Sequence, residues 1–125
     1  MKITFRQIVD VLPSLNKVIS SSLPAKTAYR FAKLAKVVKE ETSLYDEHRL
    51  NVFKKFGNET KNEKGEISIV VPEENMAAFT KELGDLNDSA FAQEFEISFE
   101  PVSVDDLGNL QLSALDMVAL DKFLK

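Results

Sequence analysis

The chain contains no cysteine, and no apolar run in it reaches the ~18 residues of a membrane-spanning helix. The lack of cysteine excludes a disulfide framework, a thiolate nucleophile and a thiolate metal site. The first apolar stretch is interrupted by Arg6 and Asp10 and lacks a cleavage-like end, so we expect no signal peptide. These absences favour a soluble protein of a reducing compartment.

Residues that carry catalytic or ligand chemistry are also scarce. The only histidine is His48, and no nucleophile-elbow motif accompanies it. Tyr45 stands three residues before it, where a helical di-iron site would have Glu. The four glycines are too far apart for a phosphate-binding loop, and Asp105 and Asp106 lack the spacing of a calcium loop. We therefore expect no enzyme activity, no cofactor and no metal.

The stretch from Ala25 to Phe56 is predicted to be one long helix. It has neither glycine nor proline and consists largely of good helix formers. Pro24 suits the start of a helix and Gly57 suits its end. At ~1.5 Å per residue the helix would be roughly 48 Å long, which is more than a domain of this size needs to cover its core.

The far half of this helix is the candidate interface. Its apolar stripe alternates steps of three and four residues, typical of a coiled-coil seam, but Thr42 and Arg49 interrupt it. One interpretation is that the whole helix packs on its own domain. The other is that the far half pairs with another chain, through Tyr45, Arg49, Val52 and Phe56.

Charge is distributed unevenly along the chain. Residues 1–57 contain 11 Lys/Arg and 5 Asp/Glu, a net of +6, whereas residues 58–125 contain 5 and 15, a net of −10. A candidate basic patch on the long helix comprises Lys26, Arg30, Lys33 and Lys36. A candidate acidic face on a strand comprises Glu94, Glu96 and Glu100. The asymmetry either cancels inside the fold, which we favour, or steers a charged partner.

Flanking segments predict an α+β fold. Residues 1–20 should form a helix that starts at a Thr4–Gln7 capping box and is kinked or divided at Pro13. Together with the long helix this makes an N-terminal helical hairpin over residues 1–57. Residues 57–65 read as a polar, mobile loop, and residues 66–71 as a strand.

The remaining α/β portion, residues 58–125, should contain two helices and a small, mostly antiparallel three-stranded sheet. A helix begins at Pro72 and should end near residues 87–89. Strands are expected at residues 94–100 and 110–112. A last helix begins with a Ser113–Asp116 capping box, and its predicted apolar stripe is Leu115, Val118, Ala119 and Phe123. We treat residues 1–125 as a single domain.

Several sequence segments resemble a family of small proteins of unknown function from tailed bacteriophages and prophages. They are the run from Leu23 to Leu34 (LPAKTAYRFAKL), then Tyr45-Asp46-Glu47 with Arg49, Val71-Pro72-Glu73-Glu74, and Leu112-Ser113-Ala114. The likeness covers most of residues 23–124. It implies a phage origin and a place in the bacterial host cytoplasm or the virion. It brings no catalytic residues.

The leading hypothesis is a non-enzymatic protein–protein interaction or assembly protein, whose partner is itself or a phage or host protein. One alternative is an inhibitor whose acidic face imitates nucleic acid and blocks a host enzyme. Another is a nucleic-acid-binding accessory protein that uses the basic patch, although the acidic pI of about 5.1 argues against it. No contact with a membrane is expected.

Overall fold

A computed structural model describes all 125 residues. The helices are α1 (Phe5–Ile19), α2 (Ala25–Phe56), α3 (Glu73–Ala92) and α4 (Ala114–Ala119). The strands are β1 (Lys2–Thr4), β2 (Asn58–Lys61), β3 (Ile67–Val70) and β4 (Glu94–Glu96), and short 3-10 helices cover Val104–Leu107 and Asp121–Phe123. The predicted α+β class and the bounds of the long helix are confirmed.

The sheet was predicted wrongly in number and extent. There are two separate two-stranded antiparallel sheets, β1 with β4 and β2 with β3, instead of one sheet of three strands. The pairs run in register from Lys2–Glu96 and from Asn58–Val70. No strand forms at residues 110–112, and the segment predicted as a polar loop contains β2.

The chain divides into two compact units. The first unit consists of Met1–Glu40 and Ala92–Lys125, and the second unit consists of Glu41–Phe91. The division therefore falls inside α2 and near the end of α3, whereas the sequence placed its boundary at Gly57. The first half of α2 belongs to the first unit and its far half to the second.

The first unit contains the hydrophobic core. The side chains of α1 on its apolar face pack with the first half of α2, with the segment after β4 and with the C-terminal residues. Ring contacts join Phe99 to Phe31 and to Phe123, at centroid distances of 5.2 and 5.5 Å. The Thr4–Gln7 capping box is present, and α1 continues through Pro13 as one helix.

The second unit consists of the far half of α2, the β2–β3 hairpin and α3. Contacts pair Tyr45 with Phe91, Lys55 with Glu82 and Phe56 with Phe79, so the two helices run antiparallel. The predicted end of α3 near residues 87–89 was wrong, because the helix continues to Ala92. Tyr45 Oη donates a hydrogen bond to Asn87 Oδ1. Because this bond engages the Asn87 side chain, that side chain does not compete for the backbone hydrogen bonds of the helix.

The close approach of β3 to the end of α2 explains why residue 57 is a glycine. A Cβ atom there would lie 2.4 Å from Ile69 Cγ2 and 2.7 Å from the carbonyl oxygen of Phe53. Gly57 does not have a positive φ. The glycine is thus needed for lack of space and not for its backbone freedom.

Candidate interaction surfaces

Three of the four candidate interface residues face α3 within the second unit. Tyr45 and Phe56 are half-buried, in ring contact with Phe91 and Phe79 at centroid distances of 5.5 and 6.4 Å. Val52 is half-buried at the edge of a depression between the two helices. Arg49 is exposed, and its guanidinium lies 5.2 Å from the centroid of the Phe53 ring. This stripe therefore holds the second unit together.

Only one side chain in the second unit is buried. Phe79 is 9% exposed and makes ring contacts with Phe53 and Phe56. The hairpin strands are almost wholly exposed. Large apolar side chains are exposed on both helices and on the hairpin, namely Leu44, Leu50, Ile67, Val70 and Met76. The second unit therefore exposes five large apolar side chains while it buries one.

Two residues of the basic patch and two of the acidic face line the same depression of the first unit. All four basic residues are exposed, and the Lys33 ammonium lies 4.8 Å from the centroid of the Tyr29 ring. Arg30 and Lys33 line a depression of about 460 Å³ together with Glu96 and Glu100. Opposite charges so close together reduce each other's field at a distance. Neither sign dominates this surface.

Of the predicted acidic face, Glu94 and Glu96 belong to β4, whereas Glu100 follows the strand. All three are exposed. Glu96 accepts a 3.1 Å hydrogen bond from the Met1 ammonium. The face is therefore partly paired inside the first unit.

Ion pairs connect the basic and the acidic halves of the sequence within each unit. Lys17 pairs with Asp116 and Lys55 with Glu82, each at 2.8 Å. Both pairs join a cation from residues 1–57 to an acid from residues 58–125. They support the interpretation that part of the charge asymmetry cancels inside the fold.

The face of α4 that is buried is not the face that the sequence predicted. The capping box at Ser113 is confirmed, but Leu115 and Val118 are 82% and 73% exposed, while Asp116 is buried. Ala119 is exposed as well, and only Phe123 of the predicted stripe lies in the core. The stripe was therefore wrong for three of its four residues.

Polar contacts explain why α4 turns Asp116 inward. Lys17 Nζ and Ser14 Oγ each donate a 2.8 Å hydrogen bond to its carboxylate, and the Ser113 N–H donates another at 3.1 Å. Lys17, then Ser14 and the Ser113 backbone, hold the pKa of Asp116 far below its ordinary value, while burial opposes them. The partners from α1 are distant in sequence, so no local pattern could reveal them.

His48 is exposed and lines the depression between α2 and α3. No cluster of three or more His, Asp or Glu side chains is placed to hold a metal ion. No helix combines the length and the apolar character needed to cross a membrane.

Comparisons of the chain with models of known protein families, with curated proteins and with solved structures find no match.

Proposed function

We propose that this chain is a non-enzymatic protein–protein interaction or assembly protein of tailed-phage origin, and that the second unit is its contact surface. The observation that carries the proposal is the contrast inside that unit between one buried side chain and five exposed large apolar ones. A short helix pair and a two-stranded hairpin are marginal in water without a core. Burial against another chain would supply the missing apolar contacts.

The resemblance to phage and prophage proteins supports the proposed origin. It supports the proposal that the protein acts in the bacterial host cytoplasm during infection, and an assembly role would allow its incorporation into the virion. The two alternatives, imitation of nucleic acid and direct nucleic-acid binding, each need a surface of one sign. The mixed depression lined by Arg30, Lys33, Glu96 and Glu100 gives them less support.

Affinity capture from phage-infected bacteria tests the proposal. The tagged wild type, Leu50→Glu and Tyr29→Glu would be compared with and without nuclease, and the recovered proteins read by mass spectrometry. Leu50 and Tyr29 are both exposed residues of α2, in the second and first unit respectively. Tyr29→Glu is therefore the matched control.

We expect the wild type and Tyr29→Glu to recover other phage-encoded proteins regardless of nuclease. Leu50→Glu should lose them, because it places a charge within the contact surface. Equal recovery by all three proteins would contradict the assignment of the surface. Recovery of a host nuclease or polymerase without phage proteins would support the inhibitor instead.

A further inference from the structure

The second unit has a groove between the far half of α2 and α3, with a volume of about 510 Å³. Its two edges differ in chemistry. Hydrogen-bond donors from α2, His48, Asn51 and Lys55, form one edge, and the acids Glu82 and Asp85 from α3 form the other. Val52 and Leu86 contribute apolar surface between the edges. The groove thus has a donor edge and an acceptor edge on opposite sides.

The carboxylate of Glu82 retains unused acceptor capacity. Its Oε1 atom accepts a 2.8 Å hydrogen bond from Lys55 Nζ, whereas its Oε2 atom has no partner and is shielded from water. An unpaired, desolvated carboxylate oxygen is unfavourable. The Glu82 side chain as a whole is 39% exposed, so its carboxylate can be reached from the groove. A donor that reached the second oxygen would supply the missing hydrogen bond.

We propose that the occupant of this groove is the same groove of a second copy of the chain, giving a symmetric dimer in which four helices form an antiparallel bundle. This inference rests on the proposed function and names its first partner. A two-fold axis parallel to the helices lays α2 of one copy over α3 of the other. The donor edge of each copy then faces the acceptor edge of its partner, and both contacts occur twice.

Charge complementarity selects a second copy over an unrelated helix. Lys55 and Glu82 already pair within one copy, and a matching partner adds acids opposite Lys55 and His48. On its other side it presents donors opposite Glu82 and Asp85. The groove itself has this arrangement, in the antiparallel order that the symmetry requires. Pairing two such grooves also covers Val52 and Leu86 from both sides, as in four-helix bundles.

Sedimentation equilibrium over a wide range of concentrations tests the inference. The wild type should show a reversible monomer–dimer equilibrium that weakens as salt rises. Asp85→Lys places a cation opposite the donor edge and should weaken the dimer about tenfold or more. Asp88→Lys makes the same charge change at an exposed position of α3 that does not line the groove, and should leave the dimer unchanged.

A second pair of variants checks the direction of the contact. His48→Glu should also weaken the dimer, since it puts an acid opposite acids. Combining His48→Glu with Asp85→Lys should restore dimerisation, because an acid at position 48 of one copy then faces a cation at position 85 of the other. Far-UV circular dichroism would verify that each variant retains the helix content of the wild type.

A wild type that remains monomeric at the highest concentrations would overturn the inference, as would equal weakening by Asp85→Lys and Asp88→Lys. The dimer can be disproved without disproving the proposed function. Leu50, the residue altered in the capture experiment, does not line the groove. A monomeric protein that still captures phage proteins through Leu50 would contradict the dimer and leave the proposed function standing.

Discussion

The two units differ most in what they bury. Of the sixteen buried apolar side chains, fifteen lie in the first unit and only Phe79 lies in the second. The helix α2 takes part in both: Phe31, Leu34 and Val38 are core residues, whereas Leu44 and Leu50 are exposed. One helix thus contributes buried leucine, valine and phenylalanine side chains in its first half and exposed leucines in its far half, which is the half that we propose a partner contacts.

The same substitution in the two halves of α2 should have very different effects on stability. Leu34 is 1% exposed and Leu50 is 45% exposed. Leu34→Ala should cost about 2 to 5 kcal/mol of unfolding free energy, since it leaves a cavity in the core. Leu50→Ala should change the monomer by less than about 0.5 kcal/mol.

Urea unfolding of both variants at low protein concentration, followed by circular dichroism, checks this expectation. Because both changes replace leucine by alanine in the same helix, their intrinsic helix propensities cancel. Similar destabilisation at the two positions would mean that the second unit has a core of its own.

Two glycine substitutions should change the stability of the second unit in opposite directions. Gly57→Ala should destabilise it by about 1 to 3 kcal/mol, because the new methyl group would overlap Ile69 and the Phe53 carbonyl. Gly84→Ala, within α3, meets no atom within 4 Å and should stabilise the unit by about 0.5 to 1 kcal/mol.

Limited proteolysis measures both effects, read as the rate of cleavage within residues 41–91. Cleavage should be faster than wild type for Gly57→Ala and slower for Gly84→Ala. If Gly57→Ala left cleavage unchanged, the close packing of β3 against the end of α2 would not exist in solution.

The smallest effect concerns the acid that holds α4 in the first unit. The pKa of Asp116 is lowered on folding, mainly by Lys17 and Ser14, so its contribution to stability is complete above the ordinary aspartate pKa of about 3.9. It declines as pH falls below that value. Asp116→Asn should be less stable than wild type at pH 7, and the difference should shrink at acid pH.

Thermal unfolding of wild type and Asp116→Asn from pH 7 down to pH 3 checks this. Asp121→Asn, an exposed acid nearby in sequence, is the control and should follow the wild type. A stability difference that stays constant with pH would contradict the ionised contact with Lys17.

The sequence predicted those elements whose signals are local. The long helix has uninterrupted helix formers between Pro24 and Gly57, and the capping boxes at Thr4 and Ser113 mark helix starts. The predictions from sequence were wrong where contacts between residues far apart in the chain determine the structure. The orientation of α4 depends on bonds from Ser14 and Lys17, and the continuation of α3 is supported by Tyr45 at Asn87.

The candidate site was predictable only in part. The periodicity of Tyr45, Val52 and Phe56 predicted a contact face but not what it contacts. In the structure this face packs against α3 of the same unit. The groove lined by Lys55 and Glu82 had no sequence signal, since its residues come from two helices that only the fold brings together.

Amide hydrogen exchange at low and at high protein concentration tests the central claim most directly, because it reports on both units in one experiment. We predict that residues 41–91 exchange faster than the core of the first unit when the protein is dilute. Their protection should rise with concentration, while that of the first unit stays constant. Strong, concentration-independent protection of residues 41–91 would contradict the claim that the second unit is completed by another chain.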